Sequence, residues 1–133
     1  MWFLDTSICI YFLKGEYPGI AEHISSRNPS DIKIPAIVEA ELRFCVENSK
    51  RKEKNQIKLS QFLSPYQIIP FDSRASLFYA SLRLQLQTEG ASIGANDMLI
   101  AATVLAMDGT LVTANVKEFS RVKGLKLEKW ATG

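Results

Sequence analysis

Trp2-Phe3-Leu4-Asp5-Thr6-Ser7-Ile8-Cys9-Ile10-Tyr11-Phe12-Leu13-Lys14-Gly15 follows the initial Met1 and decides how the rest of the chain is read. Three apolar residues make a short strand. Asp5 or Thr6 then caps a helix over about 7–14, which Gly15 stops. The same alternation recurs along the chain. Pro18 starts a second helix to about 27, and Asn28-Pro29-Ser30 turns the chain into a strand at 32–35. A helix over 36–48, a charged helical segment over 50–63 and a strand at 67–69 come next. Asp72 caps a long helix over 73–88 that Gly90 ends. A further helix over 95–107 closes at Asp108-Gly109, and strands are expected at 110–113 and 125–128. Short strands alternating with helices predict an α/β fold. They predict one domain over 1–133, with a short, mainly parallel central sheet flanked by helices. In such folds ligands bind at the carboxyl ends of the strands.

Composition narrows the chemistry. A chain of 133 residues with 47% hydrophobic and 23% charged residues is an ordinary globular domain, large enough for a core without staples. It has one histidine, His23, and two cysteines, Cys9 and Cys45. That set excludes a structural Cys/His zinc site and two-histidine acid–base catalysis. The chemistry falls to carboxylates, which commonly work by holding hard cations. Two separated cysteines read as reduced thiols of a cytoplasmic protein, although a Cys9–Cys45 disulfide stays open at this level. No basic stretch precedes the first apolar run and Asp5 interrupts it, so no signal peptide is expected. The longest apolar stretch, around Met98 to Met107, is too short to span a bilayer, and no membrane partner is expected.

Most of the fourteen acids have ordinary roles. Asp31 and Asp108 sit in turn sequences, Asp72 is placed as a cap, and Glu16, Glu22, Glu47, Glu53, Glu89 and Glu128 fall in polar or basic contexts. Glu39 stands four residues before Arg43, a favourable surface pair. Three acids resist such explanations. Asp5 ends the first strand, where it can cap a helix or bind a metal. Glu41 has Ile37, Val38, Phe44 and Cys45 at helical spacing, which predicts a carboxylate on a buried stripe in need of an ion pair or a metal. Asp97 stands near Ile100 and Ala101 in a first turn, where the helix dipole also favours an anion, and Asn96 precedes it. Thr113, Asn115 and Glu118 form a polar group after the fourth strand, where a turn capped by Asn115 competes with a direct role. Parallel connectivity would bring Asp5, Glu41, Asp97 and Asn115 to one edge of the sheet. Clustered carboxylates do not all stay ionised without a cation, and Mg²⁺ or Mn²⁺ suits them.

Four stretches carry a family resemblance: Phe3-Leu-Asp5-Thr-Ser-Ile-Cys-Ile-Tyr11, Ala40-Glu41-Leu-Arg-Phe44, Ile93-Gly-Ala-Asn-Asp97-Met-Leu-Ile-Ala-Ala102 and Thr110-Leu-Val-Thr-Ala-Asn-Val-Lys-Glu-Phe119. With the tail Val122 to Trp130, the chain resembles the PIN-domain ribonucleases, and among them the VapC toxins of bacterial toxin–antitoxin pairs. The resemblance implies Mg²⁺-dependent endonucleolytic cleavage of RNA, homodimers, and neutralisation by a VapB antitoxin, with operator DNA bound only through that antitoxin. It implies Asp5, Glu41 and Asp97 as the acidic metal-binding triad. The fourth position, often Asp in the family, falls on Asn115, and this departure weakens the case for a second tightly held metal. Thr6 matches the hydroxyl position after the first Asp, and Asn96 the residue before the third acid. Thr113 and Glu118 are placed as supporting groups. Relatives with an Ala-Glu-Leu-Arg motif include enzymes that cut the anticodon loop of initiator tRNA.

Phosphate recognition calls for cations. Lys50, Arg51, Lys52, Lys54 and Lys58 face one acid, Glu53, so this segment carries +4 and the remainder of the chain −2. It is expected either to attract an RNA backbone or to be a solvated helical face. Arg43 has the same two options, phosphate contact or the pair with Glu39. Three other readings remain: a PIN nuclease without a toxin role, a receiver- or phosphatase-like domain with Asp5 as phosphoacceptor, and a non-catalytic binding module. The phosphatase reading lacks the second Asp two residues on, where Ser7 stands.

Overall fold

The computed structural model describes residues 1–132. The expected domain over 1–133 extends to Gly133, which lies outside the described residues. The chain runs β1 (Trp2–Leu4), α1 (Thr6–Leu13), α2 (Pro18–Ser25), a single tight turn (Pro29–Asp31), β2 (Ile32–Pro35), α3 (Ala36–Glu47) and α4 (Lys52–Leu63). It continues through β3 (Gln67–Ile69), α5 (Ser73–Glu89), α6 (Ala95–Ala106), β4 (Thr110–Val112), α7 (Val116–Phe119) and β5 (Lys126–Glu128). The five strands form one sheet in the order β3-β2-β1-β4-β5, every neighbouring pair parallel.

Side chains of successive strand residues point to opposite faces. Phe3 and Leu4 are both 0% exposed, and Leu111 and Val112 are fully buried beside them. Helices therefore cover both faces of the sheet, which is why these strands read as unbroken apolar runs. Fully burying side chains of this size contributes about 1.5–3 kcal/mol each. Gly109 is required before β4: a Cβ there would stand 2.4 Å from Cε1 of Phe3.

Helix limits follow the expected caps. The Asp5 side chain accepts from Ile8 N and the Asp72 side chain from Ala75 N, each three residues on. Gly90 ends α5 in the left-handed conformation, with φ 62°. Two expectations are corrected. Asn115 stands at the start of α7 but makes no side-chain capping bond; its backbone N–H donates instead to Thr113 Oγ1 at 2.9 Å. The apolar stripe around Glu41 is only half buried. Val38 and Leu42 are in the core, while Phe44 is 68% exposed and Cys45 is exposed. The helix packs through the Val38–Leu42 seam, and Glu41 stands at the seam's edge, intermediate in exposure. Both cysteines are free, Cys9 buried and Cys45 on the surface.

Candidate active site

The sheet order reverses between β1 and β4. The chain leaves β1 toward β2 and β3, then crosses to β4 and β5 on the other side. Connections diverge at such a switch point and leave a crevice at the carboxyl ends of the two strands. Register fixes what lies there. Leu4 pairs with Val112, so Asp5 and Thr113 are the next residues on adjacent strands. Asp5 N donates to Val112 O at 3.1 Å, and Thr113 Oγ1 donates to Asp5 Oδ2.

Asp5 is 3% exposed. Its Oδ1 accepts from Ser7 Oγ at 2.6 Å and from Ile8 N at 3.1 Å, so it is the cap of α1. A carboxylate offers about four lone-pair sites. Three bonds engage it here, and Oδ2 keeps one site beyond its bond from Thr113. Capping and ligation are therefore compatible in one residue. Burial raises the Asp5 carboxyl above its ordinary value, with the Glu41 charge adding to it against the three hydrogen bonds.

α3 carries Glu41 to α1 and α6. Thr6 Oγ1 donates to Glu41 Oε1 at 2.5 Å, and Asn96 Nδ2 donates to Oε2 at 3.3 Å. Asp97 lies in the first turn of α6, where the helix dipole favours ionisation. The opposite effect wins. Burial first, then a hydrogen bond and charge repulsion from Glu118, then the charges of Glu41 and Asp5 push Asp97 up to about 7. Glu118 arrives on α7, and its Oε1 accepts from Gly94 N at 3.3 Å. Two hollows open onto this group. One, of about 360 Å³, is lined by Glu41, Gly94, Ala95, Asn96 and Asp97. The other, of about 380 Å³, shares Glu41 and Asn96 with it.

The structure thus brings together Asp5, Thr6, Glu41, Asn96, Asp97, Thr113 and Glu118, with Asn115 joined through its backbone. It does not bring in the basic residues. Among the described residues, Arg43, Lys50, Arg51, Lys52 and Lys54 make no hydrogen bond or ion pair with these acids. Arg43 pairs with Glu39 at 2.9 Å and Lys52 with Glu47 at 2.7 Å. Two residues from Glu41 is more than half a helical turn, so Arg43 faces away. Ser7 was not anticipated as a site residue. It bridges Asp5 Oδ1 and Ala114 N, clamping the loop after β4 to the loop after β1. A hydroxyl two residues beyond the strand-end acid was the only signal for it.

The donors are carboxylates, hydroxyls and amides, a hard oxygen set without thiolate or imidazole, which suits Mg²⁺ or Mn²⁺. Among the described residues, none of the four acids has a cationic side chain as partner. Burial and the neighbouring acids push the Asp97 carboxyl up to about 7, an effect that a cation would oppose. No three His, Cys, Asp or Glu side chains among the described residues stand at the spacing of a formed metal site. The acids rest on hydroxyl, amide and carboxyl partners instead.

Residues 2–125 match the model of the PIN-domain family. Ribonuclease VapC2 of Rickettsia felis is 43% identical over 133 residues, with 98% of each chain covered. The tRNA(fMet)-specific endonuclease VapC of Salmonella typhimurium is 31% identical over 130 residues, with 96% of each chain covered. Among solved structures, VapBC2 from Rickettsia felis bound to a DNA fragment from their promoter superposes with a TM-score of 0.92. Its sequence identity is 41%, with 97% of this chain and 98% of that chain covered. The switch-point crevice and its acids therefore sit in a known framework, and the chain belongs to the PIN-domain family, in its VapC ribonuclease branch.

Proposed function

We propose that the chain is the toxin of a VapBC type II pair, an endoribonuclease that cleaves RNA phosphodiesters with Mg²⁺ held by Asp5, Glu41 and Asp97. The whole chain, 1–133, acts as one PIN domain. The observation that carries this is the gathering of four carboxylates near the switch point, where Glu118, Glu41 and Asp5 all act on Asp97, without a cationic side chain to balance them. Mn²⁺ suits the same oxygen donors. When bound, the ion supplies an activated water and relief of charge on the phosphoryl oxygens.

The protein's own groups do the rest. Ser7, Thr113 and Ile8 N fix the Asp5 carboxylate, which would be one of the residues that hold the ion. Asp97, raised by burial and by its hydrogen bond with Glu118, would hold the ion as a carboxylate and would have to give up its proton to do so. Glu41, steadied by Thr6 and Asn96, orients the attacking water. The exposed amide of Asn115 positions a phosphate oxygen. Lys50, Arg51 and Lys54, exposed at the start of α4, draw the RNA backbone toward the site. Arg43 and Lys52 can join them only by leaving their carboxylate partners.

The name of the Salmonella relative, a tRNA(fMet)-specific endonuclease, supports initiator tRNA as substrate, and we place the cut in the anticodon loop. The VapBC2 complex on promoter DNA supports a VapB antitoxin as partner. A homodimeric toxin that reaches operator DNA only through that antitoxin completes the proposal. A cleft of about 210 Å³ between α1, α3 and α4, lined by Ile10, Leu13, Leu42, Val46 and Leu59 among others, gives a protein partner apolar surface to cover. Two free cysteines support a cytoplasmic protein. No helix is long and apolar enough to cross a membrane among the described residues.

The test is induced expression in bacteria of wild type beside Asp5→Ala, with cleaved RNAs sequenced. Wild type alone should arrest growth and leave one recurrent cut in initiator tRNA. Equal toxicity from both proteins rejects the reading.

A further inference from the structure

Phe44 is a large apolar side chain outside the hydrophobic core. It stands on α3 three residues after Glu41, on the same face, and is 68% exposed. It lines the hollow of about 380 Å³ together with Thr6, Ile37, Ala40 and Glu41, and Asn96 closes the side shared with the acids. That volume is within the range of small-ligand pockets, about 300–1,000 Å³. The hollow has an apolar part at Ile37, Ala40 and Phe44 and a polar rim at Glu41, Thr6 and Asn96. A planar group with an apolar face and polar edges fits that division.

We propose that this hollow is a nucleobase subsite in which the Phe44 ring stacks a base of the RNA next to the phosphate being cut. This deepens the proposed function and rests on it. The geometry argues for RNA over a peptide because the hollow shares two of its walls, Glu41 and Asn96, with the hollow beside Asp97. A strand whose phosphate lies at the acids has its neighbouring base within reach of the ring. Stacking uses the π-face, which every base has, so the subsite orders the strand more than it reads sequence. The Thr6 hydroxyl proton and one Nδ2 hydrogen of Asn96 are engaged by Glu41, which leaves the other Asn96 amide groups for contact with a base edge.

Base stacking on an aromatic side chain corresponds to a loss of roughly 5- to 150-fold on its removal. The first arm measures kcat and KM for Mg²⁺-dependent cleavage of an initiator-tRNA anticodon stem–loop. Phe44→Leu and Phe44→Ala should raise KM by a factor in that range with kcat changed much less, and Phe44→Trp should keep KM near wild type. The Leu variant keeps an apolar side chain and removes only the π-face. An unchanged KM in Phe44→Leu overturns the proposal. So does a Phe44→Leu variant that loses only its inhibition by antitoxin, which would assign the hollow to a peptide. The second arm does not need cleavage. Cys45 lines the same hollow and is exposed, whereas Cys9 is buried, so N-ethylmaleimide reports Cys45 alone. Total bacterial tRNA should slow alkylation of Cys45 in wild type and not in Phe44→Leu. No protection in wild type overturns the subsite. If wild type binds and protects but cuts no RNA, the nuclease reading fails while the subsite stands.

Discussion

Asp97 shows how one residue's surroundings set both activity and stability. Its carboxyl is raised by burial and by Glu118, to about 7 from an ordinary value of 3.8. Between about pH 4 and about pH 7 the folded, metal-free protein therefore holds a proton that the unfolded chain has released. Stability falls as pH rises through that window. Asp97→Asn should remove this loss, leaving the metal-free protein more stable than wild type above neutrality while abolishing cleavage. Thermal melts of both proteins across the window, with and without Mg²⁺, check the sign. Mg²⁺ should stabilise wild type more strongly as pH rises and should barely affect Asp97→Asn. At this scale the acids themselves were legible, because Asp5, Glu41 and Asp97 interrupt apolar runs. What each one touches was not. The sequence allows Asp5 to be cap or ligand, and the three bonds it accepts leave one lone-pair site open beside its capping role. For Asn115 the sequence allows a cap or a direct role; its side chain makes no capping bond, and Glu118 reaches Asp97. Such partnerships cross up to about a hundred positions of sequence, as between Asp5 and Thr113, and only sheet register sets them.

Elements were legible wherever a local signal exists. The caps at Asp5 and Asp72, the stop at Gly90 and the strands at 67–69 and 32–35 appear as their local chemistry demands. The buried face of α3 was misjudged because periodicity marks an apolar stripe without saying how much of it a neighbour covers. The C-terminal tail is held by a cluster that no local signal announces. Trp130 is 1% exposed, His23 stacks on it, and the Arg27 guanidinium lies 4.5 Å from both the Trp2 and Trp130 ring centres. Both indole N–H groups donate to Glu128, at 2.8 and 3.1 Å. Trp130→Ala should cost about 3–5 kcal/mol, measured by urea unfolding, because it leaves a cavity and strands Arg27. Burial alone would raise the Glu128 carboxyl, but the two indole hydrogen bonds, with Arg27 and His23 nearby, leave it below its ordinary 4.5. Its contribution is complete above that value and is lost as pH falls through the lower, folded one. Glu128→Gln should accordingly flatten the acid limb of the stability profile.

For the molecule as a whole, short strands alternating with helices were enough to foresee a parallel α/β sheet with its site at the carboxyl ends of the strands. The order β3-β2-β1-β4-β5, which puts the switch point between Asp5 and Thr113, depends on which strands pair across the chain and carries no local mark. Net charge, +2, conceals the arrangement that matters: a basic stretch at the start of α4 and an uncompensated acid crevice. The central claim is that a divalent cation held in this crevice drives RNA cleavage. Its most direct test is the cleavage rate of initiator tRNA against Mg²⁺ concentration for wild type and for folded Asp5→Asn. Wild type should show saturable, chelator-sensitive cleavage, and Asp5→Asn should lose at least about a hundredfold, the scale of removing one electrostatic stabiliser of a transition state. Asp5→Asn cutting at the wild-type rate with the same Mg²⁺ dependence would contradict the account.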